Sequence, residues 1–155
     1  MTRPGAGERP VDRSAAAASA PAAVSASADE TPPAAGSPAA IRAALSAVDA
    51  GLAQRFDQDA NADIDRLLRA RADAVDMQVR AAWQACIDAG APLSLFAVGG
   101  YGRGELFPQS DIDLLVLAEP DAQTAHAEQL GCFFASLWDA GVPVGHAVRS
   151  AAQCT

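Results

Sequence analysis

The 155-residue sequence contains no lysine, so all 11 basic side chains are arginines, against 19 acidic residues. The formal net charge of −8 argues against sequence-independent nucleic-acid binding, which depends on surplus lysine and arginine. The three cysteines, Cys86, Cys132 and Cys154, are far apart, which argues against a disulfide framework or zinc site and favours reduced, buried thiols in a cytoplasmic protein. No apolar run approaches about 18 residues, so we expect no transmembrane helix and no membrane partner.

The N-terminal quarter differs in composition from the rest of the chain. Residues 1–38 are mostly Ala, Ser, Pro and Gly and contain no Leu, Ile, Phe or Trp. Such a segment buries too little apolar surface to offset its ordering entropy, so we predict a disordered tail. Residues 39–90 carry apolar side chains at helical spacing with a break near 57–61, which predicts a lead-in of two helices. Asn61 is the predicted N-cap of the second helix. We interpret the charged residues opposite its apolar stripe as a solvated face: Arg66, Arg69, Asp73, Asp76 and Arg80.

After Pro92 the hydrophobic period changes, and residues 91–155 form the third predicted region. The predicted elements are a strand over 93–98, a short helix over 101–106, a strand over 111–118, a helix over 120–140 and a strand over 142–148. The nearly continuous apolar run from Ile112 to Leu117 is typical of a strand covered on both faces. The whole pattern predicts an α+β fold with a short mixed sheet and flanking helices.

Two glycines and two aspartates mark the junctions around the predicted strands. Gly99 and Gly100 end the first strand, and Asp111 and Asp113 begin the second. Residues i and i+2 of a strand point to one face, about 7 Å apart, so two carboxylates there repel each other unless a cation lies between them. Glycines let a backbone approach a ligand, and amides at a helix start favour phosphate. The pattern predicts a nucleoside triphosphate against the glycines and Mg²⁺ against the aspartates.

Each feature has a simpler explanation when taken alone. A Gly-Gly pair is often only a tight turn, and an Asp at a strand start is often a turn former. His126 and His146 are interpreted as ordinary polar residues. The combination of strand, Gly-Gly, short helix, loop and Asp-x-Asp strand favours the functional interpretation.

The stretch VGGYGRGELFPQSDIDLLVL, followed by LWDAGVPVGHAVRS, resembles the bacterial PII uridylyltransferase/uridylyl-removing enzymes of the polymerase β-like nucleotidyltransferase superfamily. The resemblance covers residues 41–155. It implies a magnesium-dependent transfer of UMP from UTP to a tyrosine of the PII signalling protein, hydrolytic removal of that UMP, and glutamine-sensitive control of nitrogen metabolism in the cytoplasm.

The same resemblance implies roles for six residues. Gly99 and Gly100 match phosphate-positioning glycines, and Asp111 and Asp113 match the catalytic metal-binding pair. Arg103 is a candidate phosphate contact, since guanidinium groups pair with phosphate. Ser110 precedes the pair and is a candidate to orient Asp111 through its hydroxyl.

The sequence also departs from the family. Fold members use a third carboxylate on a later strand, and none of the acidic residues after the pair fits that place: Glu119, Asp121, Glu128 and Asp139. The hydrolase and glutamine-sensing domains are missing, so we expect a truncated, N-terminal part of such an enzyme without turnover. Two alternatives stay open, a glutamine synthetase adenylyltransferase-like enzyme and a non-catalytic nucleotide-binding or interaction module.

Overall fold

The computed structural model describes residues 32–59 and 61–154, so most of the predicted tail lies outside the described residues. The elements, in chain order, are α1 Pro38–Gln58, α2 Ile64–Cys86, β1 Ser94–Ala97, α3 Gly99–Gly102, β2 Ile112–Leu117, α4 Pro120–Ala125, α5 Ala127–Asp139, β3 Val144–Arg149 and a 3₁₀ turn Ala151–Cys154. The predicted α+β class is confirmed. Among these residues, no helix is both long and apolar enough to cross a membrane.

The first helix begins with a local cap. The Ser37 side chain accepts a hydrogen bond from the Ala40 amide at 3.3 Å, and Pro38 occupies the first turn, where its missing N–H costs nothing. Gly36 is buried, with φ +79°, and a Cβ there would lie 2.5 Å from the Ala81 carbonyl oxygen. Residues 36 and 37, which composition groups with the tail, therefore pack with α1 and α2.

The cap of α2 differs from the prediction. Asp63, not Asn61, caps the helix, and its carboxylate accepts from the Arg66 amide at 3.2 Å. Asn61 lies in the preceding turn, where its backbone N–H donates to Asp59 Oδ1 at 2.9 Å. Both residue types suit the position, so the turn geometry decides which of them becomes the cap.

Three strands form one mixed sheet in the order β1-β2-β3. β1 and β2 are antiparallel, with Phe96 opposite Leu115. β2 and β3 are parallel, with Asp113 opposite Gly145. The predicted mixed sheet is confirmed, and β2 is its central strand.

Burial alternates along β2. Ile112, Leu114 and Val116 are buried in the core that contains side chains of α2 and α5. Asp113, Leu115 and Leu117 are only half-buried on the opposite face, which we call the open face. The prediction of a strand covered on both faces is therefore wrong, because the described helices cover one face only.

The predicted helix over 120–140 is divided into α4 and α5 at His126, whose φ and ψ of −110° and 18° leave the helical region. The His126 ring contacts the Gln129 side chain at 3.1 Å. Gln129 in turn donates to Asp88 at 2.6 Å, which joins the start of α5 to the segment that follows α2.

Two of the three cysteines are paired. Cys86 at the end of α2 and Cys132 on α5 form a disulfide, with Cα atoms 5.8 Å apart, whereas Cys154 is free and exposed. The prediction of reduced, buried thiols is therefore wrong for Cys86 and Cys132, which are paired, and the free Cys154 is not buried. The pairing depends on the packing of α2 against α5, which the spacing of the cysteines in the sequence does not reveal.

Candidate functional site

The turn after β1 brings the first glycine against the second aspartate. The Val98 amide donates to the Asp113 carbonyl at 3.0 Å, which joins the end of β1 to the start of β2. Gly99 follows with φ +61°, a left-handed conformation that side chains disfavour, and a Cβ there would lie 2.7 Å from Asp113 Oδ2. Glycine is therefore required at residue 99 both by backbone conformation and by the neighbouring carboxylate.

Gly100 and the segment that follows α3 form a second tight arrangement. The Gly100 carbonyl accepts from the amides of Arg103 at 3.1 Å and Glu105 at 2.9 Å. The Arg103 guanidinium lies beside Gly100 and forms an exposed ion pair with Glu105 at 2.9 Å. Exposed ion pairs contribute little stability, so an anionic ligand can compete for this guanidinium at small cost.

The two aspartates differ in environment. Asp111 is exposed and precedes β2, whereas Asp113 is half-buried within β2 on the open face. Within the described part of the chain, neither carboxylate accepts a hydrogen bond or forms an ion pair. Their lone pairs are thus available to a cation or to solvent.

Ser110 closes the turn that precedes the acidic pair. Its amide donates to the Phe107 carbonyl at 3.0 Å and closes the turn before the aspartates. In the described part of the chain, no hydrogen bond joins its hydroxyl to Asp111. Ser110 contributes to the shape of the loop, and its role in orienting Asp111 stays a prediction.

The residues present fit a magnesium ion held jointly with phosphate. The Asp113 carboxylate lies in a cradle between Gly99 and Gly145, where a Cβ at Gly145 would approach Oδ1 to 2.5 Å. Mg²⁺ takes one or two carboxylates and completes its octahedron with water and phosphate oxygens. In the described ranges, no group of three or more His, Cys, Asp or Glu residues is placed to hold a metal ion.

Space for a ligand lies beside this carboxylate. A cavity of about 470 Å³ opens on the sheet, and its lining comprises Val98, Asp113, Leu114, Leu115, Gly145, His146, Ala147, Arg149 and Cys154. Most of these residues are apolar, while Asp113 and Arg149 supply opposite charges. The cavity therefore places an acidic side chain beside a mostly apolar surface.

Comparison with known proteins assigns a domain family to part of the chain. Residues 79–141 match the nucleotidyltransferase domain family. The chain is 58% identical over 114 residues to a bifunctional uridylyltransferase/uridylyl-removing enzyme of Xanthomonas campestris pv. campestris (strain B100), and 48% identical over 116 residues to one of Stutzerimonas stutzeri (strain A1501). The chain contains a nucleotidyltransferase domain.

These alignments cover 74% of this nucleotidyltransferase chain. The chain spans only 13% and 12% of the length of the two relatives. No solved structure matches it.

A buried arginine supports the loop that precedes the acidic pair of this nucleotidyltransferase. Arg71 of α2 is only 8% exposed and donates to Asp49 of α1 at 2.8 Å. The same guanidinium donates to the carbonyls of Phe107 at 3.1 Å and Pro108 at 3.2 Å. The only signal in the sequence was an arginine within the apolar stripe of α2, and its partners were not predictable from that position.

Tyr101 joins the glycine turn of the nucleotidyltransferase to α2. Its hydroxyl donates to the Asp76 carboxylate, so Asp76 does more than form part of the predicted solvated face of α2. Burial of the ring, followed by the hydrogen bond and the charge of Asp76, raises the pKa of Tyr101 well above its usual value. Arg80, an exposed neighbour of Asp76 at 3.8 Å, opposes the shift.

Proposed function

We propose that this chain carries the metal- and phosphate-binding part of a site that transfers UMP from UTP to a tyrosine of the PII signalling protein. The observation that carries the proposal is the position of the Asp113 carboxylate beside Gly99, where a Cβ would lie 2.7 Å from Oδ2. The 58% identity to an enzyme named as a uridylyltransferase supports UTP as the nucleotide. The PII protein as acceptor rests on the resemblance of the GGYGRGEL and SDIDLLVL segments.

The roles of the chain's own residues follow from their positions. Asp111 and Asp113 would hold magnesium, and no described residue accepts a hydrogen bond from the amides of Gly99 and Gly100, which leaves them available to phosphate oxygens. Arg103, next to Gly100, would pair with phosphate by giving up Glu105. Magnesium held there would supply positive charge that stabilises the negative charge developing in an in-line displacement.

In the proposed reaction, UMP passes from UTP to the oxygen of the acceptor tyrosine. The acceptor tyrosine loses its hydroxyl proton to solvent water as its oxygen bonds to the α-phosphorus of UTP. The bond from that phosphorus to the bridging oxygen breaks, and pyrophosphate leaves. A nucleoside triphosphate and a PII protein as substrates favour a cytoplasmic location for this reaction.

One observation favours a second candidate. No third acidic ligand joins Asp111 and Asp113 within the described ranges, which is compatible with a nucleotide-binding module that does not turn over its ligand. The remaining alternative is an adenylyltransferase-like enzyme, which would bind ATP in preference to UTP.

Calorimetric titration of the 155-residue chain with Mg²⁺–UTP tests the proposal. We expect Asp111→Asn and Asp113→Asn each to weaken binding by about tenfold or more, because each removes an anionic ligand. The melting temperature should hold or rise, since like-charge repulsion is relieved. Asp121→Asn, an equal charge change on the exposed first turn of α4, is the matched control and should bind as the unchanged chain does.

Three outcomes separate the candidates. Equal binding by the two site variants and the unchanged chain would overturn the metal assignment. Tighter binding of Mg²⁺–ATP than of Mg²⁺–UTP would favour the adenylyltransferase alternative. Binding of UTP that is equally tight with and without Mg²⁺ would favour the binding module, because the proposed transfer site holds the phosphates through its metal.

A further inference from the structure

A glycine in the interior of β3 lies opposite the half-buried aspartate. Gly145 is in register with Asp113 in the parallel β2–β3 pair, so the two residues lie side by side on the open face. A Cβ built on Gly145 would lie 2.5 Å from Asp113 Oδ1 and 3.7 Å from its Cγ, and no other heavy atom beyond its chain neighbours would lie within 4 Å. The space that a side chain would fill is therefore occupied by the Asp113 carboxylate alone.

The backbone conformation of residue 145 does not require a glycine. Gly99, on the other side of the carboxylate, has a left-handed φ of +61°, but Gly145 is not among the residues with positive φ. Glycine weakens a strand interior because it loses more conformational freedom and packs no side chain. The feature of its surroundings that would disfavour alanine is the contact with Asp113.

We propose that Gly145 is a positioning residue for the nucleotidyltransferase site, because its missing side chain lets the Asp113 carboxylate lie between β3 and the Gly99 turn. An alanine would force Oδ1 to move by roughly 1 Å to reach an ordinary contact distance of about 3.5 Å. Displacements of about 1 Å at a reacting centre reduce rates by on the order of 10²-fold. The inference about metal binding rests on the proposed function, whereas the steric contact does not.

The first experiment compares Mn²⁺ binding, measured by electron paramagnetic resonance, in the 155-residue chain and its Gly145→Ala variant. We expect the variant to bind Mn²⁺ about tenfold more weakly while its circular dichroism is unchanged. Gly131→Ala is the matched control, because a Cβ at this exposed position of α5 would meet no atom within 4 Å. Equal Mn²⁺ affinity of Gly145→Ala and the unchanged chain would overturn the proposal.

A double-mutant cycle tests the steric contact without any metal. In the Asp113→Ala background the carboxylate is gone, so Gly145→Ala should raise the melting temperature as Gly131→Ala does. With Asp113 present, the same substitution should lower it by a few degrees. Equal changes in both backgrounds would show that Gly145 and Asp113 are not coupled. Failure of the unchanged chain to bind Mn²⁺ would count against the proposed function, and the cycle would still decide the role of Gly145.

Discussion

At the scale of single residues, Tyr101 shows how a side chain outside the acidic pair holds the site in place. It is the one tyrosine of the chain, it lies within the glycine-rich α3 turn, and its hydroxyl donates to Asp76 on α2. The hydrogen bond joins the helical lead-in to the segment that carries Gly99 and Gly100. Rotation of α3 would break this bond, so Tyr101 restrains the proposed phosphate-binding turn.

The raised pKa of Tyr101 predicts a loss of stability at high pH. An unfolded tyrosine ionises near pH 10, whereas the folded chain keeps the proton to higher pH because the ring is buried and faces the Asp76 carboxylate. The stabilisation is therefore fully present below about pH 10 and is lost as the pH rises beyond that value. Tyr101→Phe should cost about 1 kcal/mol at pH 8 and should flatten this alkaline decline.

Urea unfolding of both proteins between about pH 8 and pH 11.5 measures the effect. The chain suits this test because it has no lysine, and Tyr101 is the one tyrosine, so few other groups titrate in that range. An equally steep alkaline decline in Tyr101→Phe would show that the tyrosine is not its source. Arg80→Met, which removes the exposed cation that opposes the shift, is the control and should keep the decline.

At the scale of elements, the helical lead-in holds the loop before β2. Arg71 of α2 binds Asp49 of α1 and the backbone carbonyls of Phe107 and Pro108. This loop ends at Ser110, directly before Asp111. The lead-in is thus part of the site's support, in addition to its share of the hydrophobic core.

Arg71→Met should loosen this loop and weaken the site. It leaves two loop carbonyls without their donor, while the partly exposed Asp49 can be hydrated, so we expect a loss of about 2 kcal/mol in unfolding free energy. Amide exchange over residues 107–111 should rise, and Mn²⁺ binding should weaken. Arg71→Lys keeps the charge but lacks the planar guanidinium with its several donors, so it should recover only part of the lost unfolding free energy.

Arg66→Met, an exposed position on the same helix, is the matched control and should leave both readouts unchanged. Unchanged exchange over residues 107–111 in Arg71→Met would show that the loop keeps its position without the guanidinium. A loss of stability without a change in Mn²⁺ binding would limit Arg71 to a structural role.

The elements were predictable where a local pattern determines them. The helical spacing from Ile41 to Ile87 predicted α1 and α2, and the apolar run from Ile112 to Leu117 predicted β2. The one-sided burial of β2 was not predictable, because an apolar run does not reveal which face the helices cover. The break at His126 was missed because neither proline nor glycine marks it.

The candidate site was likewise predictable only where its residues lie close together in the sequence. Gly99, Gly100, Asp111 and Asp113 stand out in sequence because their spacing is local, and the structure brings Gly99 and Asp113 together. Gly145 and Arg71 were missed because their partners lie at least 22 residues away along the chain. Strand register and helix packing create those contacts, and neither has a local signature.

At the scale of the whole molecule, the open face leaves the site uncovered by the described residues. Phe96 and Val98 are 47% and 36% exposed there, next to the half-buried Leu115 and Leu117. Apolar surface of this kind favours association with other surfaces. Water also reaches Asp113 and any phosphate bound beside it, which weakens electrostatic interactions relative to a closed site.

The 155-residue chain should therefore bind Mg²⁺–UTP weakly and fail to transfer UMP to PII at a catalytic rate. Two carboxylates and a glycine turn can contact metal and phosphate, but no third acidic ligand joins them among the described residues. The loss of a single acid–base group typically costs about 10²–10⁴-fold in rate. Radiolabelled transfer, with the Xanthomonas campestris relative as positive control and Asp111→Asn as background, measures the difference. We expect the chain to transfer at least about 100-fold more slowly than the relative. Transfer at a comparable rate, abolished by Asp111→Asn, would mean that these residues already contain every catalytic group and that the open face needs no cover.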